Sequence, residues 1–335
     1  MKQPIFLEPL FQERVWGGSK LSETYGYPIP SSKTGECWAI SAHPNGQNIV
    51  MSDDLAGKTL DDLWDERPDL FGYFESDRFP LLTKILDAND DLSVQVHPND
   101  EYANKMENGE LGKTECWYII DCDEGADMIL GHHAKSKEEF VKAVEEGNCE
   151  HLLRRVKIKP GDFFYVPSGT IHALCKGTLV LETQQSSDTT YRIYDYNRPG
   201  HDGKLRELHL DKAIEVITFP HTPVKIEPLT TQTVGGSVTT FVEEDYFTIY
   251  KWEVNSSLSL TQGAYFTLAS VIGGEGKVTF EDNEFFIKSG DHFILPNKMR
   301  SFTIEGNIQL VASHPNSKGY LRSDTESTTR RVASI

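Results

Sequence analysis

Gln95 and His97 stand two residues apart in Ser93-Val94-Gln95-Val96-His97-Pro98, so a strand there projects an amide oxygen and an imidazole nitrogen to one side. A strand histidine before proline, taken alone, reads as a satisfied structural residue. Its weight changes beside a second segment, Gly161 to His172, which has the pattern G-x5-P-x-G-x2-H. A cation held by imidazoles also needs a carboxylate to offset its charge, and Glu115, at the head of an apolar run, is the candidate. Imidazole with carboxylate suits Zn²⁺, and the same donor types also accept Fe, Mn, Co or Ni. Lys113 lies two residues before Glu115 and shares its face if the strand extends that far. Buried in such a cavity, a lysine can hold phosphate or move a proton, because its pKa falls readily on burial.

The segment ending in His172 resembles the second motif of the cupin superfamily, in which the final histidine ligates a metal inside a small barrel. More residues carry a closer likeness. Lys113-Thr114-Glu115, Arg192, Phe6-Leu7-Glu8-Pro9, Trp16-Gly17-Gly18 and Leu82-Thr83-Lys84-Ile85-Leu86-Asp87-Ala88 accompany the two motifs in order. Together they resemble the type I phosphomannose isomerase family over residues 4–220, and more weakly beyond. That resemblance implies a zinc-dependent cupin interconverting mannose 6-phosphate and fructose 6-phosphate through a cis-enediol. Carried over by position, it implies metal ligands at Gln95, His97, Glu115 and His172. It also implies an active-site arginine at Arg192, and pocket residues at Lys84, Lys113 and Ser93. Asp188, four residues before Arg192, is expected in the catalytic set with Arg192 and Lys113, as a candidate partner of that arginine. The chain departs from many family members at Val96 and Thr114, where they carry Ala and Pro; the ligand positions are untouched. Two other readings of the donor set are an Fe(II) cupin oxygenase and a sugar-binding cupin without catalysis.

The elements that must position these groups read as mainly β. Short runs rich in Val, Ile, Phe and Tyr recur at 92–96, 115–120, 162–166 and 178–181, with turn residues between them. Helical segments are expected at about 98–114, 135–156 and 205–218. The second opens on Ser136-Lys137-Glu138-Glu139, a capping-box sequence, and stops at Gly147. Asp61, Asp62, Asp65 and Glu66 read as a solvated helix face. After Pro220 nearly everything reads as strand. Gly161-Asp162-Phe163-Phe164-Tyr165-Val166-Pro167 recurs as Gly290-Asp291-His292-Phe293-Ile294-Leu295-Pro296, each copy a turn, a four-residue strand and a proline stop. Where His172 would align, the second copy has Ser301. The expected fold is two cupin-type jelly-roll barrels: residues 1–220 bind metal, residues 221–316 are degenerate and metal-free, and 317–335 form a tail. His132-His133 read as a turn, and His151, His201, His209, His221, His292 and His314 lack ligand-like companions.

Composition bounds the partners. The chain has 335 residues, 38% of them hydrophobic and 25% charged, which suits a soluble chain with a sizeable core. A formal charge of −18 disfavours nucleic acid and anionic membranes, so an anionic sugar phosphate must meet a local cluster of Lys and Arg. No apolar run reaches the roughly 18 residues of a membrane span, and the start of the chain lacks a signal-peptide stretch. Five cysteines at irregular spacing point to reduced thiols in the cytoplasm. The expected assembly is a monomer or small homo-oligomer.

Overall fold

The computed structural model describes residues 2–200, 202–263 and 265–320. Two antiparallel sheets face each other in the first half. One has six strands in the order Phe163–Val166, Glu115–Cys122, Thr178–Gln185, Leu81–Ala88, Thr34–Ile40 and Leu10–Gly18. The other has five: Leu153–Lys157, Asp127–His132, His172–Leu174, Val94–Val96 and Tyr191–Tyr194. No strand ladder joins them, so the expected closed barrel is an open jelly-roll sandwich. Trp16, Leu86, Trp117, Ile119 and Val180 from the first sheet meet Met128 and Leu174 from the second between the layers.

The central strands of the six-stranded sheet are buried on both faces, which is why Leu81-Leu82-Thr83-Lys84-Ile85-Leu86 reads as a nearly continuous apolar run. Its outer face, with Cys37, Ile85, Tyr118 and Leu181, packs on Phe247, Ile249, Leu268 and Ile294 of the second half. The outer face of the five-stranded sheet is covered by the helices Lys137–Glu145 and Leu210–Val216, through Phe140, Ala143 and Ala213. Ser136 caps the first of these by accepting the Glu139 amide, while the Glu139 carboxylate turns back to the Lys135 amide. The expected helix within 98–114 is short, Asp100–Met106, with Asn99 accepting the Tyr102 amide. Asp61, Asp62, Asp65 and Glu66 lie on the helix Leu60–Glu66, whose Leu60, Leu63 and Trp64 are buried.

Every strand from Leu229 to Pro315 lies in one nine-stranded antiparallel sheet folded around a core of its own. That sheet also takes in Ile5–Phe6, paired with Ile294 and Phe293, so the first strand of residues 1–220 belongs to the second half. The two copies of the repeat fold alike. Gly161 and Gly290 have φ of 89° and 91°, a region open to glycine at little cost. Asp162 and Asp291 then accept the Lys159 and Lys288 amides, at 3.0 and 2.8 Å. The tail beyond Tyr320, and His201, lie outside the described residues. No helix among the described residues is long and apolar enough to cross a membrane. The five cysteines are all free thiols.

His292, in the second copy of the repeat, ties the halves together. Tyr27 donates to the Gly290 carbonyl at 2.6 Å, so its oxygen accepts from His292 Nε2 at 2.8 Å, and Ser270 donates to Nδ1 at 2.9 Å. Burial lowers its pKa to about 3. The unfolded chain takes up this proton below about pH 6.5, whereas the fold takes it up only near pH 3, so stability is lost as pH falls across that window. Calorimetry between pH 6.5 and 4 should show His292→Gln losing stability less steeply than the parent, by up to about 1.4 kcal/mol per pH unit. Equal slopes would mean that His292 is not held neutral.

Candidate active site

Strand register sets out the first row of groups. Gln95 pairs with His172 on one side and Arg192 on the other, and directly paired residues share a face. His97, two residues on, projects to that same inner side. Glu115, the first residue of its strand in the opposite sheet, closes the space between them. Donor atoms of His97, Glu115 and His172 all lie within 4.8 Å of one another. Glu115 Oε1 is 3.3 Å from His172 Nε2, and its Oε2 is 3.5 Å from His97 Nε2. The Gln95 amide nitrogen is 3.2 Å from His172 Nε2, and turning the amide over presents Oε1 at the same place.

These residues fit a metal ion. His97 Nδ1 donates to the Thr189 carbonyl at 2.8 Å and His172 Nδ1 to the Thr170 carbonyl at 2.9 Å. Each ring is thereby held in the tautomer that turns the Nε2 lone pair inward, the outer support typical of metal-bound imidazole. His97 Nε2 and Glu115 Oε1 are buried without a hydrogen bond, a costly state that a cation relieves, while Glu115 Oε2 has the Lys113 ammonium 3.1 Å away. Burial lowers His172 to about 4, and burial with Lys113 and His172 nearby holds His97 well below its ordinary value. Both rings are therefore neutral, as ligation requires. Burial also pushes the Glu115 carboxyl up, against the pull of Lys113 and Lys84.

A second row crosses the six-stranded sheet beside the cluster, with Trp38, Lys84, Glu182 and Trp117 in register. Lys113 Nζ lies 3.1 Å from Glu115 Oε2, as an ion pair outside hydrogen-bond geometry, and 3.9 Å from Glu182 Oε1. Trp117 Nε1 donates to Glu182 at 2.9 Å. Burial opposes the Lys113 charge, but Glu115, Glu182 and Asp188 outweigh it and raise the pKa above the ordinary lysine value. With these carboxylates beside it the Lys113 pKa stands above its ordinary value, where burial alone would lower it.

Asp188 does not pair with Arg192. It sits in the loop between two strands, not on a helix, so four-residue spacing does not stack the two side chains. Its carboxylate lies 3.7 Å from Lys84 and accepts from the Asn45 amide at 3.0 Å. Burial works against its ionisation, yet Lys84, Asn45 and Lys113 hold its pKa below the usual value. Lys84 also lies 4.5 Å above the Trp38 ring. Asp195, the nearer acid in sequence, is taken by Arg198 and Arg206 at 2.8 and 2.6 Å. The Arg192 side chain is left without a hydrogen bond or ion pair among the described residues. Ser93 is buried just before the metal strand. Glu182, Trp38 and Asn45 escaped sequence reasoning. A charge in the middle of Thr178-Leu179-Val180-Leu181-Glu182 was the available signal for the first.

The family model for the catalytic domain of type I phosphomannose isomerase matches residues 5–120, and that for the cupin domain of mannose-6-phosphate isomerase matches residues 237–315. Mannose-6-phosphate isomerase ManA of Bacillus subtilis is 55% identical over 312 residues, 93% of this chain and 99% of that one. The mannose-6-phosphate isomerase of Streptococcus mutans is 49% identical over 316 residues, 94% of this chain and 99% of its own. The chain belongs to the type I phosphomannose isomerase family. A crystal structure of the Bacillus subtilis mannose 6-phosphate isomerase superposes with a TM-score of 0.91 at 55% identity, covering 93% of this chain and 99% of that one. A Salmonella typhimurium phosphomannose isomerase, 15% identical with a TM-score of 0.77, shares the fold.

Within this phosphomannose isomerase fold, Gly169 links the segments that carry His97 and His172. Its amide donates to the His97 carbonyl at 2.9 Å, and its own carbonyl accepts from Thr218 at 2.9 Å. Its φ is +82°, and a Cβ there would lie 2.5 Å from Thr218 Oγ1. Gly169→Ala should destabilise the protein by about 1–3 kcal/mol and weaken metal retention, read by denaturant unfolding and metal analysis. A variant as stable as the parent would show that the loop has room to shift.

Proposed function

We propose that this protein interconverts mannose 6-phosphate and fructose 6-phosphate through a cis-enediol, using one Zn²⁺ held by His97, Glu115, His172 and Gln95. The observation that carries the reading is the buried set of His97, Glu115 and His172 donors within 4.8 Å of one another, with His97 Nε2 and Glu115 Oε1 lacking a hydrogen bond. Two imidazoles and two oxygen donors suit zinc. The ion, when bound, supplies Lewis-acid stabilisation for negative charge developing on the sugar oxygens.

The chain's own residues do the rest. Arg192, uncommitted and beside Gln95, is the fixed cation for an enediolate or phosphate oxygen. Lys113 and Lys84 supply positive charge that draws an anionic sugar into a chain of net charge −18. Asp188, kept ionised beside Lys84, is the carboxylate in its basic form at the edge of the site, available to take a proton. Ser93 belongs to the same wall. Residues 1–220 carry the chemistry, and residues 221–316 form the metal-free unit. The His97–Glu115–His172 cluster lies in the former. Free thiols throughout accord with a cytoplasmic setting.

Product analysis with and without oxygen tests the reading. Equal conversion of mannose 6-phosphate to fructose 6-phosphate is expected in both. Oxygen uptake that depends on Fe(II) would replace the isomerase with the oxygenase.

A further inference from the structure

A cavity of about 730 Å³ opens in the C-terminal half, within the ~300–1,000 Å³ typical of small-molecule sites. Trp252 and Phe302 of the second core form part of its lining. Asn297, Lys298 and Arg300 run along it. This is the segment after the second copy of the repeat. After the first copy, the corresponding segment ends on the metal-cluster residue His172. Ser301 stands at the aligned position, between Arg300 and Phe302 of the cavity lining.

Gln262, 5% exposed, lines this cavity. Its Nε2 donates to the Pro296 carbonyl at 3.1 Å, while its Oε1 is buried with no partner. An orphaned acceptor of this kind is costly unless a ligand donor meets it. At the rim, Tyr265 and Tyr73 are 39% and 69% exposed, and the Phe74 and Tyr265 rings pack T-shaped with centroids 5.0 Å apart. Lys298 is paired with Asp69 at 3.2 Å, whereas Arg300 has no ion pair among the described residues. Open aromatic faces beside an amide acceptor match a sugar ring, which has an apolar C–H face and hydroxyl donors on its edges.

We propose that this cavity is a second, non-catalytic site for a hexose, neutral or phosphorylated. Gln262 accepts a ring hydroxyl, Tyr265 stacks on the sugar, and Arg300 meets a phosphate where one is present. The proposal stands on the cavity and not on the reading of the metal cluster.

Calorimetric titration of the full-length, metal-loaded protein with methyl α-D-mannopyranoside and its 6-phosphate tests it, because a glycoside cannot open and so cannot be isomerised. Saturable binding is expected, weakened about five- to tenfold in Gln262→Leu and in Tyr265→Ala. Turnover of mannose 6-phosphate should be unchanged in both variants. Binding that survives in His172→Ala separates this site from the metal cluster. Tighter binding of the 6-phosphate, with the gain lost in Arg300→Ala, identifies a phosphorylated ligand; equal affinity identifies a neutral one. Absence of saturable binding to the parent, or binding that neither Gln262→Leu nor Tyr265→Ala weakens, would overturn the proposal.

Discussion

Glu115→Ala is expected to empty the metal site and remove turnover together. Glu115 is the only acid of the buried cluster, and both its oxygens face histidine Nε2 atoms at 3.3 and 3.5 Å. Its loss leaves neutral donors alone to hold a divalent ion. Changes to groups that merely support ligands cost about 10–100-fold in metal affinity or activity, so removal of this carboxylate should exceed about 100-fold. The same substitution strands Lys113, whose remaining carboxylate in reach is Glu182 at 3.9 Å, so some stability goes as well. Glu115→Gln keeps the volume and removes only the charge, which separates an empty site from a misfolded one. His172→Ala should behave like Glu115→Ala. Metal retained at full stoichiometry in both ligand variants would overturn the assignment.

Arg192→Ala should keep the metal and lose the reaction. Its backbone pairing to Gln95 does not depend on the side chain, and its guanidinium makes no hydrogen bond or ion pair to the cluster among the described residues, so the cluster should survive its removal. What disappears is a fixed cation aimed at charge that develops during the reaction, a loss of about 10²–10³-fold in kcat. Arg192→Lys should recover only part of this, because an ammonium lacks the planar fork that meets two oxygens at once. Metal analysis beside steady-state kinetics checks both halves. A variant that lost metal, or one with unchanged kcat, would place Arg192 outside the chemistry.

The donor set was legible because it is local. Gln95 and His97 follow strand periodicity, and His172 closes a turn whose glycine is needed for its left-handed backbone at Gly169. The repeat was legible for the same reason: Gly-Asp turns write their geometry into adjacent residues. What stayed hidden depends on distant partners. Asp188 meets Lys84 and Asn45, more than a hundred residues earlier in the chain, and spacing to Arg192 holds no trace of that. The charge state of Lys113 depends on its burial, on Glu115, and also on Glu182 from a neighbouring strand. The pairing of Ile5–Phe6 with Phe293 and Ile294 likewise joins the two ends of the described chain. Whether the sheets close into barrels is set by edge strands that never meet, a property no single segment encodes.

The central claim is a metal-dependent isomerisation at the His97–Glu115–His172 cluster. Its most direct test is turnover of fructose 6-phosphate to mannose 6-phosphate by the purified protein as isolated, after chelation, and after Zn²⁺ is added back. Activity that disappears with the metal and returns with it is the predicted result. Full activity in chelated protein shown to be metal-free, or no turnover with one Zn²⁺ bound per chain, would contradict it.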